Sequence, residues 1–299
     1  MKKILLTGIT GQVGQELEDT LSPLGQVIGV GRSDMDLAEP ESIRQVIHQI
    51  KPDVIVNAAA YTAVDKAETE LALAKSINAV APTIMAEEAQ NLGAILLHIS
   101  TDYVFDGKKN TPYTEQDTPN PIGSYGQSKL QGEEGVEQKC DRNLIIRTAW
   151  VYGTRGHGNF VKTMLRLGAE REELRVVADQ VGTPTWAKDI AVTITQLLQA
   201  IDSNPVVGGI YHFTNSGVTS WYDFAVAIFE EAKLLGFPLK LQRVIPITTP
   251  EYPTPAQRPA YSVLSNQKIS QTLGTYPPHW RQSLRQMLAE LYHKLGNRE

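Results

Sequence analysis

The sequence predicts an α/β fold in which helices cover both faces of a doubly wound parallel sheet, joined to a smaller mixed α/β lobe. Short apolar segments alternate with amphipathic segments through the first half of the 299-residue chain. Strands that read as continuous apolar runs are typical of a parallel sheet buried on both faces. A glycine-rich turn lies between the first apolar segment and the first amphipathic one, giving the order strand, turn, helix.

The first half supplies the elements of the sheet in regular order. An apolar strand at residues 4–6 is followed by a helix that carries Val13, Leu17 and Leu21 one turn apart. Further strands are predicted at 26–30, 53–57, 94–99 and 143–148, and helices at 41–50, at 70–92 with an interruption at Pro82, and at 124–138. Right-handed crossovers bring the carboxyl ends of these strands to one edge, where ligands bind.

The second half is less regular. Helices are predicted at 160–169, 187–200, 221–235 and about 282–295, strands at 174–177, 210–214 and 244–247, and a proline-rich loop at 249–259. We therefore predict a dinucleotide-binding domain over residues 1–150 and a mainly substrate-binding lobe over residues 151–299, interleaved with the first.

Charge and composition argue against several classes of partner. A formal net charge of −5 disfavours broad binding to nucleic acid or to an anionic membrane. The single cysteine, Cys140, permits no intrachain disulfide and fits a reducing compartment. The apolar run after Met1 stops at Thr7, too short for a signal peptide, and no stretch has the length of a membrane span. We expect a cytoplasmic protein with no nucleic-acid or membrane partner.

The glycine-rich turn is the first candidate site. Gly8, Gly11 and Gly14 fall at three-residue spacing between the strand and the helix. Glycines let the turn be tight and let the backbone approach a pyrophosphate at a helix N-terminus. The alternative is an ordinary turn that happens to be rich in glycine. We favour a dinucleotide site on a Rossmann-type sheet.

Polar and small residues follow the third and fourth strands. Residues 57–60 read Asn-Ala-Ala-Ala, which leaves room for a flat ligand but also suits helix–sheet packing. Residues 100–103 read Ser-Thr-Asp-Tyr, where such a cluster is often only a turn or a cap. Their place at the ligand-binding edge favours a functional role.

Tyr125 and Lys129 give the strongest chemical signal. Residues four apart share one face of a helix, so the phenol and the ammonium are neighbours. A nearby cation favours the phenolate, and a tyrosine so tuned can act as a general acid. The same spacing also occurs by chance on surface helices, but here it accompanies the glycine turn and Thr101.

These motifs together resemble the extended short-chain dehydrogenase/reductase family. Within that family, the closest resemblance is to a nucleotide-sugar reductase, and it is carried by residues 64–68, 100–107, 147–152, 159–160 and 252–259. It implies the reduction of dTDP-4-dehydro-β-L-rhamnose to dTDP-β-L-rhamnose with NAD(P)H, the last step of dTDP-L-rhamnose synthesis.

The resemblance also implies residue roles. Tyr125 would donate the proton, Lys129 would bind the nicotinamide ribose and lower the pKa of the phenol, and Thr101 would bind the substrate oxygen. Asn78 would help complete a proton relay. The cofactor would contact Gly8, Gly11, Gln12, Val13, Gly14, Arg32, Asp36, Leu37, Ala60, Tyr61, Thr62, Tyr125 and Lys129, and the substrate Thr101, Asp102, Trp150 and Arg258.

Arg258, Trp186 and Trp221 each have a functional and a structural interpretation. Arg258 lies in the proline-rich loop, where a guanidinium suits the diphosphate of a nucleotide sugar. Most arginines, however, are exposed on the surface. Trp186 and Trp221 are able to stack on thymine, but packing in the core is the favoured interpretation of both.

The residues at the end of the second strand indicate which nicotinamide cofactor is preferred. No carboxylate occupies the usual ribose-binding place, and Arg32 and Ser33 are able to donate to a 2′-phosphate. Asp34 and Asp36 partly offset this. We predict NADPH as the preferred cofactor, with NADH also accepted.

Three alternatives stay open at this point. A dehydratase or epimerase shares the fold, although Tyr103 stands where dehydratases of this family have glutamate. A regulatory homologue would lack the Tyr125 and Lys129 pair. Some relatives are described as magnesium-linked dimers. Glu16 is able to act as one ligand, but Lys188 occupies the place of another carboxylate, so we predict no metal and leave a homodimer open.

Overall fold

The computed structural model describes residues 1–203 and 208–296. The strands of this part of the chain are β1 (Lys3–Thr7), β2 (Gln26–Val30), β3 (Val54–Asn57), β4 (Ile95–Thr101), β5 (Asn143–Thr148), β6 (Val151–Tyr152), β7 (Glu173–Val177), β8 (Val181–Gly182), β9 (Thr185–Trp186), β10 (Gly209–His212), β11 (Thr219–Ser220) and β12 (Arg243–Ile247). Its α-helices are α1 (Gln12–Leu21), α2 (Pro40–Ile50), α3 (Val64–Ala67), α4 (Leu71–Lys75), α5 (Ala81–Leu92), α6 (Ser124–Lys139), α7 (Phe160–Glu170), α8 (Ala187–Ser203), α9 (Trp221–Leu235), α10 (Gln267–Leu273) and α11 (Trp280–Gly296).

A six-stranded parallel sheet forms the centre, in the order β2-β1-β3-β4-β5-β10. The strand order reverses beside β1, so the crevice between β1 and β3 opens at the carboxyl edge of the sheet. Open α/β sheets bind ligands at such a switch point. The predicted fold class is confirmed.

Alternate residues of β1 pack on opposite faces of the sheet, as the two-residue period of a strand requires. Ile4 and Leu6 join a core cluster that includes Leu17 of α1 and Ile194 of α8. Leu5 joins a second cluster, in which α2 and α5 cover the other face. Burial on both faces explains why these strands are continuous apolar runs.

A third core cluster lies in the second half of the chain, where α7, α9 and α11 pack together. Strands β7 and β12 pair beside them. Strand β10, however, pairs with β5 in the central sheet, although it follows residue 150. The functional division at residue 150 stays a prediction.

The predicted helix at 70–92 differs most from the structure. It is divided into α4, a π-helical turn at Ser76–Val80, and α5. The predicted interruption falls a few residues before Pro82, in this π-helical turn, and Pro82 itself lies in the first turn of α5. Across residues 1–203 and 208–296, no helix combines the length and the apolar character that a membrane crossing needs.

Candidate functional site

The glycine turn is held by close backbone contacts. Gly8 has φ +74°, and a Cβ atom there would lie 2.7 Å from the carbonyl carbon of Ala58. A Cβ atom on Gly14 would lie 2.0 Å from the carbonyl oxygen of Gly8. Gly11 caps α1 without a side-chain hydrogen bond, so no side chain blocks the first N–H groups of the helix. The turn therefore fits a bound pyrophosphate.

Two adjoining cavities extend from this turn and share Gly8, Ala60 and Thr62. The first, about 350 Å³, contains these predicted cofactor residues: Gly8, Arg32, Asp36, Leu37, Ala60, Tyr61 and Thr62. The second, about 520 Å³, contains the predicted residues Gly8, Gly11, Gln12, Val13, Ala60, Thr62, Thr101, Asp102, Tyr125, Lys129 and Trp150. Gly14 lines neither, since it packs against Gly8.

Polar atoms without hydrogen-bond partners also indicate that the second cavity binds a ligand. Ser100, next to last in β4, and Thr148, the last residue of β5, lie on neighbouring strands and line this cavity. Their hydroxyl oxygens are buried and have no hydrogen-bond partner among the described residues. Buried hydroxyls without partners are costly, and a polar ligand would satisfy them. The residues present therefore fit a dinucleotide.

Tyr125 lies in the first turn of α6, and its ring contacts that of Tyr103 edge to face with 5.5 Å between the ring centroids. Burial raises the pKa of Tyr125 to about 12, against the lowering effect of the neighbouring Thr101 hydroxyl. The expected lowering of this pKa is therefore wrong, because desolvation of the phenol is the largest influence on it. The phenol keeps its proton and is ready to donate it.

Asp102 lies beside the predicted donor. Thr101 donates a hydrogen bond from Oγ1 to Oδ1 of Asp102 at 3.0 Å. Burial raises the pKa of the Asp102 carboxyl to about 6. Thr101 thus links the carboxyl to the phenol, and all three groups line one cavity.

Lys129 is held from the neighbouring strand β4. Its Nζ donates to the carbonyl oxygen of Ile99 at 2.7 Å and lies 3.1 Å from Nε2 of His98. Burial lowers the pKa of Lys129 to about 8. Sequence reasoning missed His98. A polar residue within the otherwise apolar run of β4 was the available signal.

Asn78 lies in the π-helical turn, and described residues engage both polar atoms of its side chain. Oδ1 accepts from the N–H of Tyr61 at 2.8 Å, and Nδ2 donates to the carbonyl oxygen of Tyr61 and to the Ser128 hydroxyl, each at 3.0 Å. Asn78 therefore connects the wall of the first cavity to α6. Its role in a proton relay stays a prediction.

A third cavity, about 730 Å³, lies in the second lobe and is lined by Trp221 and Arg258 among others. Trp221 stacks on Trp150 with ring centroids 3.5 Å apart, and Trp150 lines the second cavity. The stacked pair therefore lies where these two cavities approach each other. Trp186 is 3% exposed and packs in the core of the second lobe.

Arg258 pairs with Asp65 at 3.0 Å, and its side chain is 24% exposed. It also donates to the Thr254 hydroxyl. The guanidinium holds the pKa of Asp65 below its usual value. Arg258 is thus fixed in the wall of the third cavity, and its contact with a diphosphate stays a prediction.

Arg32 reaches into solvent beside the first cavity. Its side chain is 78% exposed, and its Nε lies 3.8 Å from a carboxylate oxygen of Asp36. A pair this exposed is weak. The guanidinium is therefore available to a charged ligand group.

The residues considered as magnesium ligands lie in a separate cluster. Glu16 is buried near Arg155 at 3.5 Å, and Lys188 pairs with Glu290 at 2.6 Å. In residues 1–203 and 208–296, no group of three or more His, Cys, Asp or Glu is arranged to hold a metal ion. Metal use and oligomeric state stay predictions.

Comparison with known proteins identifies the family. The model described as RmlD substrate binding domain matches residues 1–293. A dTDP-4-dehydrorhamnose reductase from Escherichia coli strain K12 is 45% identical over 293 residues, covering 97% of this chain and 98% of the relative.

Solved structures agree. A dTDP-4-dehydrorhamnose reductase from Clostridium acetobutylicum has a TM-score of 0.89 and 42% identity, covering 97% of this chain and 99% of that one. The enzyme of that name from Bacillus anthracis, in complex with NADP, has a TM-score of 0.89 and 38% identity over the same shares of the two chains. The chain therefore belongs to the RmlD substrate binding domain family, which confirms the resemblance to extended short-chain dehydrogenases/reductases.

Proposed function

We propose that this chain reduces dTDP-4-dehydro-β-L-rhamnose to dTDP-β-L-rhamnose with NADPH, and accepts NADH less well. The observation that carries the assignment is the meeting of Thr101, Tyr125 and Lys129 in a cavity that continues to the glycine turn. Full-length relatives named for this reaction support it.

Bound NADPH supplies the hydride, which goes to the C4 carbonyl carbon of the sugar. Tyr125 donates its phenolic proton to the developing alkoxide, and Thr101 holds the oxygen by a hydrogen bond. Lys129 stabilises the phenolate left on Tyr125. Because Thr101 and Lys129 are buried and Tyr125 is half-buried on α6 beside them, the site contributes orientation and electrostatic stabilisation with little rearrangement.

The cavities support proposals for the remaining roles. Gly11, Gln12 and Val13 hold the pyrophosphate at the start of α1, and the first cavity takes the adenosine half of the cofactor. Trp150 and Asp102 contact the sugar, and Arg258 contacts the diphosphate. Residues 1–150 thereby supply the named cofactor contacts together with Thr101, Asp102 and Trp150 of the sugar site, and residues 151–299 add Arg258.

A coupled assay tests the function. dTDP-glucose is converted by its dehydratase and epimerase, and NADPH oxidation is followed with and without this chain. We expect oxidation that depends on all three proteins. No oxidation above the rate without this chain would reject the proposal.

Replacing Arg258 tests the diphosphate contact. We expect Arg258→Ala to raise KM for the sugar nucleotide about 10- to 100-fold, the value of a charged hydrogen bond of about 1.5–3 kcal/mol. KM for NADPH should stay unchanged. Asp65→Asn is the matched variant, since it breaks the ion pair but keeps the guanidinium, and should raise KM less. An unchanged KM in Arg258→Ala would make Arg258 an ordinary surface arginine.

Replacing Arg32 tests cofactor choice. We expect the wild type to favour NADPH over NADH by about 10-fold or more in kcat/KM, and Arg32→Ala to remove most of that preference, because one arginine–phosphate contact is worth about 1.5–3 kcal/mol. NADH kinetics should change little. Equal wild-type values for the two cofactors, or a higher value with NADH, would contradict this prediction.

A further inference from the structure

A row of four buried side chains ends at Lys129, and the reaction above uses only the last of them. Thr7 Oγ1 donates to Asn57 Oδ1 at 2.8 Å, and Asn57 Nδ2 lies 3.0 Å from His98 Nδ1. His98 Nε2 lies 3.1 Å from Lys129 Nζ. Each side chain in the row belongs to a residue at most 2% exposed. The polar atoms of the row are therefore largely shielded from solvent and need partners within the protein.

The position of the ring proton on His98 follows from counting donors. One ring nitrogen faces the amide nitrogen of Asn57 and the other faces the amine of Lys129. A neutral imidazole has only one unprotonated nitrogen that can accept a hydrogen bond. The Asn57 amide is oriented by its oxygen, which accepts from the Thr7 hydroxyl and from the N–H of Ala59 at 3.3 Å. In this orientation of the amide, Asn57 Nδ2 donates to Nδ1 of His98, and the ring proton lies on Nε2, facing Lys129.

A proton on Nε2 needs a lone pair on Lys129 Nζ, which only the neutral amine has. If Lys129 is an ammonium, the ring proton must instead lie on Nδ1, and the Asn57 amide must turn its oxygen toward it. Burial lowers the pKa of Lys129 to about 8. Burial and the nearby Lys129 keep the pKa of His98 well below its ordinary value, so the imidazole stays neutral. Both arrangements are then accessible near neutral pH.

The other charged and titratable groups around Lys129 set the balance between its two forms. Glu133, one turn along α6, favours the ammonium and is itself paired with Arg147 of β5 at 2.6 Å. Asp102 and Tyr125 line the same cavity as the amine. His98 is the group in direct contact with Nζ from the sheet side.

We propose that His98 is a positioning residue for Lys129, and that its ring proton moves from Nε2 to Nδ1 when Lys129 becomes charged. The imidazole thus changes tautomer without changing its own charge. Its Nε2 accepts a hydrogen bond from the ammonium form of Lys129 and donates one to the neutral amine. The effect of the His98 tautomer on turnover rests on the proposed function. The change of tautomer itself does not depend on that function.

The tautomer is measured by long-range ¹H–¹⁵N spectra of protein labelled with ¹⁵N-histidine, with His98→Gln to assign the signals. From about pH 6.5 to about pH 9.5, we expect the ring proton on Nδ1 at the acid end and on Nε2 at the alkaline end, with a midpoint near the Lys129 pKa of about 8. Lys129→Met should show one tautomer throughout. A wild-type ring proton that stays on Nδ1, or the same switch in Lys129→Met, would overturn the proposal.

Two variants test the consequence for turnover. His98→Leu should lose about 10-fold in kcat, the value of one hydrogen bond, with KM for the sugar nucleotide nearly unchanged. His98→Gln keeps a polar atom near Nζ and should recover most of that loss. Wild-type kcat in His98→Leu would reject the positioning role. An inactive wild type with an intact tautomer switch would instead reject the proposed function.

Discussion

Tyr125→Phe is expected to lower kcat at least about 100-fold, the usual scale of general acid catalysis. The variant keeps the ring and its edge contact with Tyr103 but removes the proton that the raised pKa of about 12 retains on the phenol. Because Lys129 and the glycine turn are untouched, the affinity for NADPH should change little. Steady-state kinetics in the coupled assay and a fluorescence titration with NADPH measure the two effects separately.

Tyr113→Phe is the matched control. It also removes a phenolic hydroxyl from a buried residue, one that donates to Asp106 at 2.8 Å, but Tyr113 lines none of the three cavities described. We expect it to retain kcat. Turnover by Tyr125→Phe close to that of Tyr113→Phe would show that another group supplies the proton.

Glu133→Gln is expected to destabilise the fold by about 3–5 kcal/mol, the cost of leaving one buried charge without its partner. Arg147 donates to both carboxylate oxygens of Glu133, and the two side chains are 2% and 1% exposed. Glutamine offers Arg147 an acceptor without the opposing charge. The free energy of unfolding is measured by urea denaturation, comparing midpoints at equal slope.

Glu170→Gln tests the same chemistry on the surface. Arg166 and Glu170 pair at 3.3 Å one turn apart on α7, with side chains 61% and 52% exposed. Such a pair contributes about 0.3–0.5 kcal/mol. Equal, small effects of the two substitutions would show that water reaches the Glu133 pair and screens its charges.

Elements with a strong local pattern were predictable from sequence. Strands β2 and β5 and helix α9 have the predicted bounds, because apolar runs and a helical period mark them without reference to the rest of the chain. Helices α3 and α10 were missed because they are too short to show a period. The two-residue strands were missed because only a distant pairing partner defines them.

The residues of the candidate site also divide into those that the sequence predicted and those that it did not. Gly8, Gly11, Tyr125 and Lys129 belong to motifs that span a few residues, so their spacing alone indicated them. The partners of Lys129 and Arg258 were not predictable, since His98 is 31 residues and Asp65 is 193 residues away. The direction of the Tyr125 pKa was wrong because burial, which opposes the lysine, cannot be read from spacing.

The position of β10 beside β5 has a consequence for synthesis on the ribosome. Residues 1–150 include five strands of the sheet, but the outer edge of β5 has no neighbour until Gly209–His212 has been translated. Until then the nascent chain presents an apolar strand edge of the kind that pairs with other chains. A chain that ends after residue 150 never gains this neighbour, so we expect a gene truncated there to yield an aggregating product, not an independent nucleotide-binding domain.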